Sequence, residues 1–462
     1  MKLAIKEIIE ATKGKLIKGD SQDMVYGIST DSRRIKSNEL FIPLIGENFN
    51  GHNFIEMAVK SGANTVLISQ DCEGELLGYK GLCIIKVKDT LKALQDLAKY
   101  YISKFHIPII GVTGSTGKTS TKEVIYSVLS KQYNVLKNKG NLNNHIGLPL
   151  TVFELEKNHE IAILEMGMSG FGEINLLADI VNPDVAVITN IGLSHIEHLG
   201  SQENILKAKM EITNYFNEKN TLIVNGDDKL LKTLQSTPMD YEQCFVGLEK
   251  NCHYQAIHIK DLGEEGIHFD VEINDQIYPF TLKVPGEHNI YNALCAIAIG
   301  LKFNMDVASI QEGIKDFEGS KMRLHIFTTN EKIKVINDAY NASPDSMRAA
   351  INVLSKMQNR KIAVLGDMLE MGEYAKVGHN DVGCEVAKNS IDMLIVVGTD
   401  AEHIAKGAIE NHFDEEKVYI CKNNEEAIGI LKNILQKEDI VLIKGSRGMR
   451  MEEIVRYIQE RS

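Results

Sequence analysis

Short apolar runs alternate with stretches of helical spacing along the whole chain, the pattern of strands and helices packed in layers. Leu3, Ile5, Ile8 and Ile9 suit a short amphipathic helix. Ile28–Ser29 ends a strand in a polar turn, Leu40–Leu44 is a strand, and Ile55–Ser61 is a helix before the strand Thr65–Ser69. The spacing from Thr90 to Phe105 predicts a helix joining this first block to the next. Ile107 to Val112 reads as a buried strand, and Lys118 to Ser130 as a helix carrying Val124, Ile125, Val128 and Leu129. Strands follow at Ile161–Leu164, Val185–Thr189 and Thr221–Val224, with a helix from Gln202 to about Asn214. Residues 253–285 alternate in short runs, which predicts antiparallel β-structure; helices at Asn289–Leu301 and Val307–Ile314 close the block. Strands at Val335–Ile336, Ile362–Leu365, Met393–Val397, Val418–Ile420 and Ile440–Ile443, separated by helices, describe a further doubly wound unit.

The fold class is therefore α/β in three domains, at residues 1–105, 106–318 and 319–462. The central one is expected to be a mainly parallel sheet with an antiparallel segment, and the last a Rossmann-like doubly wound domain. No internal repeat or low-complexity tract interrupts them.

Composition narrows the partners. With 44% hydrophobic and 25% charged residues the chain is an ordinary globular one, and a net charge of −12 argues against nucleic acid and anionic membrane. An anionic nucleotide must then be held by local bases such as Lys118, Arg323, Lys444 and Arg447. The seven cysteines are scattered and form no C-x-x-C pair, which favours reduced thiols in the cytoplasm. No signal-peptide core or apolar run of membrane length is present.

The chemistry centres on Thr113-Gly114-Ser115-Thr116-Gly117-Lys118-Thr119-Ser120. Between a buried strand and a helix, the two glycines let backbone N–H groups curl around a polyphosphate. Lys118 reaches the terminal phosphates and the Thr119 hydroxyl can hold Mg²⁺, so ATP is the expected ligand. The loop is shorter than G-x-x-x-x-G-K-[ST], because Val112 stands five residues before Gly117. Glu165 and His195 follow two other strands of the same predicted sheet, where open α/β sheets place their ligands. A carboxylate and an imidazole there can coordinate Mg²⁺ or position an oxygen nucleophile; the plain alternative is a pair of polar strand caps. Lys209 alone reads as a solvated helix lysine, and Ser32 and Arg33 as a solvated turn. Asn141, Asn143 and Asn144 lie in an asparagine-rich stretch too unusual for a simple linker. The guanine-selective Asn-Lys-x-Asp is missing, since Asn138-Lys139-Gly140 is followed by Asn141, which argues against a GTPase switch.

The shortened loop, Glu165 after a strand, Thr189-Asn190-Ile191 with His195, and Ala208-Lys209 at this spacing resemble the Mur ligase family, ATP-dependent amide ligases of peptidoglycan precursor synthesis. Four further stretches, Gly140–Leu150, Asn337–Met347, Leu365–Gly372 and Lys444–Glu453, resemble the members that add D-alanyl-D-alanine to UDP-N-acetylmuramoyl-tripeptide. The resemblance covers nearly the whole chain in order. It implies an N-terminal UDP-sugar domain, a central ATP domain and a C-terminal domain for the incoming dipeptide. The implied reaction is phosphorylation of the tripeptide carboxylate and attack of the dipeptide amine on the acyl phosphate. By the same resemblance Lys118 binds the β- and γ-phosphates, Thr119 and Glu165 hold one Mg²⁺, and His195 serves a second. Lys209 stands where the family carries a carbamylated lysine; Lys118, Lys209 and His195 form the catalytic set. Asn289 and Asn292 match an adenine-side motif, and Arg323 and Asp338 match residues reaching the nucleotide from the C-terminal domain. Ser29, Asp31, Ser32, Arg33, Asn50, Gly51 and His52 match the UDP-sugar side, with Asn141, Asn143 and Asn144 as further substrate contacts. Asn50 and Ala339 depart from the family, which often has acidic residues there. A cytoplasmic monomer is expected. The rivals are another amide ligase of this architecture, such as a folylpolyglutamate synthetase, and a nucleotide-dependent switch.

Overall fold

The computed structural model describes residues 1–461. Its N-terminal sheet runs in the order Lys15–Lys18, Cys83–Lys86, Thr65–Ile68, Leu40–Phe41, Ile28–Ser29, antiparallel only at the first pair. The expected strand through Leu44 is cut short at Phe41; Pro43 has no N–H to give a ladder, and its carbonyl accepts from Thr90 Oγ1 at 2.6 Å. A two-stranded ribbon, Leu3–Ala4 with Met24–Val25, precedes the first helix, Ile5–Thr12.

The central sheet has nine strands. Seven are mutually parallel, six of them in the order Glu242–Gly247, Thr221–Asn225, Val185–Ile188, Ile109–Thr113, Ile161–Glu165 and Val135–Lys137. Tyr254–Asp261 adds in parallel to Glu242–Gly247, and the hairpin Ile267–Ile273 and Gln276–Leu282 then continues antiparallel, as the alternation predicted. The strands are apolar on both faces because helices cover both. Ile110, Val112, Ile163 and Val187 face Val124, Ile125 and the helix His288–Lys302. Ala162, Leu164, Ala186 and Ile188 face the other way, into a core continuous with Leu40, Leu67 and Ile85 of the N-terminal sheet.

The helix Thr90–Ile102 joins those two regions. Asp89 caps it by accepting from the N–H groups of Leu91 and Lys92, and its apolar face buries Leu94, Leu97 and Ala98. Tyr101 donates from its hydroxyl to Leu155 O at 2.8 Å, so the linker is packed along its length.

The C-terminal sheet runs His325–Thr328, Lys334–Asp338, Ile440–Lys444, Lys361–Gly366, Met393–Val397, Val418–Cys421, parallel except for its first strand. Helices lie on both faces: Pro344–Ser355 and Ala375–Lys388 over one, Asn424–Ile434 and Glu452–Glu460 over the other. The carboxyl ends of this sheet and of the central sheet face a shared cavity.

Candidate active site

The cavity has a volume of about 720 Å³ and is lined from both sides of the junction. Ser115 to Lys118, Glu165, His195, Asn289 and Asn292 come from the central unit; Arg323, Asp338, Tyr340 and Lys444 come from the C-terminal one.

The glycine loop is built by its neighbours. Gly114 adopts φ 151°, and a Cβ there would lie 1.8 Å from Thr189 Oγ1, so no side chain fits. Thr189 Oγ1 donates to Thr116 O at 2.5 Å, while Thr116 N–H donates to Asn190 Oδ1 at 2.9 Å and Ser115 N–H to Asn190 O at 3.0 Å. The strand end at 188–190 thus shapes the loop from the side. Lys118 opens the helix Lys118–Leu129 and donates from Nζ to Gly114 O at 2.8 Å. Burial lowers its pKa; Glu165 pulls it back up and Arg323 adds to the depression. The buried Ser115 Oγ has no hydrogen-bond partner in this loop.

Glu165 is 2% exposed and held at every polar atom. Its Oε2 accepts from Thr119 Oγ1 at 2.9 Å and its Oε1 from Asn143 Nδ2 at 2.8 Å. Asn138 clamps its backbone, accepting from Glu165 N–H and donating to Glu165 O, both at 3.0 Å. Thr119 in turn accepts from Arg323 Nη2 at 3.0 Å, and the Arg323 guanidinium lies 4.2 Å from the Tyr340 ring centre.

The asparagines form a chain into the same helix. Thr121 Oγ1 donates to Asn292 Oδ1 at 2.7 Å, Asn292 Nδ2 to Asn289 Oδ1 at 2.8 Å, and Asn289 Nδ2 to Pro285 O at 2.7 Å. Asp338 accepts from Leu324 N–H at 3.1 Å and from Lys444 Nζ, which also donates to Asn341 O at 3.0 Å. His195 has a left-handed backbone, φ 63°, and its Nδ1 is 2.6 Å from Glu370 Oε2 of the C-terminal unit. Lys209 is 1% exposed; burial and the neighbouring Lys118 charge push its pKa well below the ordinary lysine value. Lys209, Gly114 and Thr119 are not among the residues that line the cavity, while Glu165 and Arg323, the partners of Thr119, are.

The N-terminal candidates are a separate group, away from this cavity. Ser29 Oγ donates to Asp31 O at 2.9 Å, and Arg33 grips Asp31 through Nε and Nη2 at 2.9 and 2.8 Å, taking its carboxyl down to about 2. His52 is oriented by its neighbours: Nε2 accepts from Ser69 N–H at 3.0 Å and Nδ1 faces Asn50 Oδ1 at 3.0 Å. Gly51 packs where a Cβ would meet Leu44 O at 2.5 Å, and Ser32 is buried. Asn144 Oδ1 accepts from Gly147 N–H at 2.8 Å, in the turn that leads into the helix Gly147–Val152.

Three family descriptions cover most of the chain: the Mur ligase family catalytic domain over residues 24–102, the middle domain over 112–300 and the glutamate ligase domain over 322–447. The UDP-N-acetylmuramoyl-tripeptide–D-alanyl-D-alanine ligase of Bacillus subtilis is 41% identical, over 100% of this chain and 99% of that one. This chain belongs to the Mur ligase family. The Escherichia coli ligase of the same name is 31% identical over 94% of this Mur ligase and 93% of its own length. A crystal structure of MurF from Acinetobacter baumannii matches with a TM-score of 0.91 at 30% identity, covering 100% of this Mur ligase and 99% of that chain. MurF ligase from Thermotoga maritima in complex with ADP matches at 0.82, 26% identical, covering 94% and 97%. This Mur ligase is accordingly an ATP-dependent enzyme.

Several residues in the site carry no local sequence signal. Lys122, Thr121 and Asn138 support Glu165 and the asparagine chain from beneath, and Glu370 reaches His195 from another unit. A buried lysine and a surface one look alike in a helix until the partner strand is known.

Proposed function

We propose that this Mur ligase joins D-alanyl-D-alanine to UDP-N-acetylmuramoyl-tripeptide, using ATP to form an acyl phosphate that the dipeptide amine attacks. The observation that carries this reading is the whole-length similarity to relatives of that name, 41% identical in the Bacillus subtilis case. Likeness to a folylpolyglutamate synthase is 16% in identity, which speaks for the fold alone.

The chemistry is coherent with the residues. A carboxylate is a poor electrophile, and replacing its oxygen by a phosphate leaving group makes attack feasible; the protein's work is then positioning and neutralising charge. Lys118 and the helix N-terminus take the β- and γ-phosphates, and Ser115, Thr116, Gly117 and Ser120 line their path. Arg323 brings positive charge from the C-terminal unit. The asparagine chain through Asn292 and Asn289 is assigned to the adenine end of the same cavity, and Asp338 reaches the nucleotide from the C-terminal unit.

The family implies Mg²⁺, and the donor set fits it. Thr119 Oγ1 and the Glu165 carboxylate, 2.9 Å apart, are hard oxygen donors beside the phosphate loop. Mg²⁺ in nucleotide sites takes one or two protein oxygens plus phosphates and water, so a cluster of acidic side chains is not required. Bound there, it would neutralise phosphate charge; His195 would serve a second ion.

Lys209 is the remaining catalytic assignment. Its environment disfavours the ammonium form, and the free amine is the form that adds CO2, losing one proton to give a carbamate. The product is an anion beside Lys118, with the carboxylate-like oxygens that a magnesium site uses. Ser29, Asp31, Ser32, Arg33 and the 50–52 turn are assigned to the UDP-sugar, and Asn141, Asn143 and Asn144 to the tripeptide side. We place the enzyme in the cytoplasm as a monomer; its seven cysteines are all unpaired, and no helix among the described residues is long and apolar enough to cross a membrane.

The test is product mass. With ATP, Mg²⁺ and UDP-N-acetylmuramoyl-tripeptide, D-Ala-D-Ala should give the UDP-linked pentapeptide and L-glutamate should give nothing. Product from L-glutamate alone would move the assignment to another amide ligase.

A further inference from the structure

Lys122 is fully buried, one turn after the phosphate loop, and does not line the cavity. Lysine is almost never fully buried without partners, so its contacts state its role. Nζ donates to Asn138 O at 2.8 Å and lies 3.6 Å from Glu165 Oε2 and 3.4 Å from Glu123 Oε1. Glu123 is also paired with Lys137, whose Nζ sits 3.7 Å from the Tyr126 ring centre. Charges therefore alternate inward, Lys137, Glu123, Lys122, Glu165, and Thr119 hands the row on to Arg323.

Two effects converge on Glu165. The carbonyl that Lys122 holds belongs to Asn138, whose side chain clamps the N–H and C=O of Glu165 and also donates to Leu142 O at 2.9 Å. Leu142 precedes Asn143, which donates to Glu165 Oε1. The Lys122 charge meanwhile faces Oε2, the oxygen shared with Thr119. An apolar side chain would leave the Asn138 carbonyl buried without a donor, and any uncharged one would leave Glu165 without its buried counter-charge.

We propose that Lys122 is a positioning residue for the metal–nucleotide site, holding Glu165 and the 138–143 turn in register with the phosphate loop. This rests on Glu165 being a metal-side carboxylate, as assigned above. Residues that orient a metal's ligands typically change its affinity ~10–100-fold when lost.

The experiment titrates Mn²⁺, followed by its electron paramagnetic resonance signal, into the full-length enzyme with a non-hydrolysable ATP analogue, and separately measures ADP binding in EDTA. Lys122→Met should weaken Mn²⁺ about 10-fold or more and leave metal-free ADP binding unchanged. Unchanged Mn²⁺ affinity overturns the proposal, and so does an equal loss of metal-free ADP binding, which would make Lys122 a support of the loop alone. Glu165→Gln separates the two assignments. If it leaves Mn²⁺ binding intact, the metal reading of Glu165 fails; if it weakens Mn²⁺ and Lys122→Met does not, only the Lys122 proposal fails. Should the methionine variant not fold, Lys122→Gln, which keeps a donor and removes the charge, is judged by the same two results.

Discussion

Arg323 and Thr119 belong to different units of the chain, yet the guanidinium donates to the threonine hydroxyl at 3.0 Å, and that hydroxyl donates onward to Glu165. The flanking residues Met322 and Leu324 are left-handed, φ 60° and 48°, a conformation that costs side chains like these energy. The backbone is bent to aim Arg323. Its loss should remove charge stabilisation at the transferring phosphate with little effect on folding. Arg323→Ala is expected to lower kcat ~100-fold or more, and Arg323→Lys to recover little, since the planar stack on Tyr340 is lost. Steady-state kinetics with a thermal melt of each variant decides it; a fully active alanine variant contradicts the assignment.

Lys209→Ala should abolish ligase activity while the melt stays near that of the parent chain, because the side chain is buried without a carboxylate among the charges acting on it. Nuclear magnetic resonance after exchange with ¹³C-bicarbonate should show a carbamate carbon in the parent and none in the variant. A fully active Lys209→Ala would remove the carbamate from the account.

Gly114→Ala places a methyl 1.8 Å from Thr189 Oγ1 at a φ of 151°. The strand end at Thr189 cannot give way without releasing Thr116, so the loop must distort. Nucleotide binding should fall sharply, with a stability loss of about 1–3 kcal/mol. Isothermal titration with ADP and chemical unfolding test both parts.

His288 sits at the junction near Asp338 and Lys444, and burial holds its imidazole down to about 4 from an ordinary value near 6.5; Asp338 opposes that shift and Lys444 adds to it. The unfolded chain therefore binds the extra proton between those values. Stability present above pH 6.5 is lost as pH falls toward 4, by about 2 kcal/mol between pH 7 and pH 5 for this residue. His379, which accepts from Met368 N–H and is also depressed by burial, adds loss of the same sign. Urea unfolding at the two pH values should show the slope, and His288→Asn should flatten it.

Much of this architecture is legible from local pattern. The phosphate loop is visible because glycine, lysine and threonine act through spacing along one turn, and the hairpin at 267–282 because Ile267–Ile273 alternates cleanly and Phe280 and Leu282 keep the alternation in its partner. Elements defined by their neighbours are not. Val135–Lys137 is three residues long, and His325–Thr328 is an edge strand of partly exposed residues; only pairing makes either a strand. Asn138 reads as a fragment of a guanine motif, whereas in the fold it is a buried clamp on Glu165. The helix expected to run to Asn214 is α-helical only through Met210 and tightens into a 3₁₀ turn at Glu211–Thr213. His195 and Glu370, 175 positions apart, meet only because two sheets turn their carboxyl ends toward one cavity.

The central claim is that ATP cleavage here is tied to amide formation with a D-Ala-D-Ala acceptor. Phosphate release with ATP, Mg²⁺ and UDP-N-acetylmuramoyl-tripeptide, measured with and without the dipeptide, tests it most directly. Release that rises with D-Ala-D-Ala and tracks UDP-linked pentapeptide mole for mole is the predicted result; release indifferent to the dipeptide would contradict it.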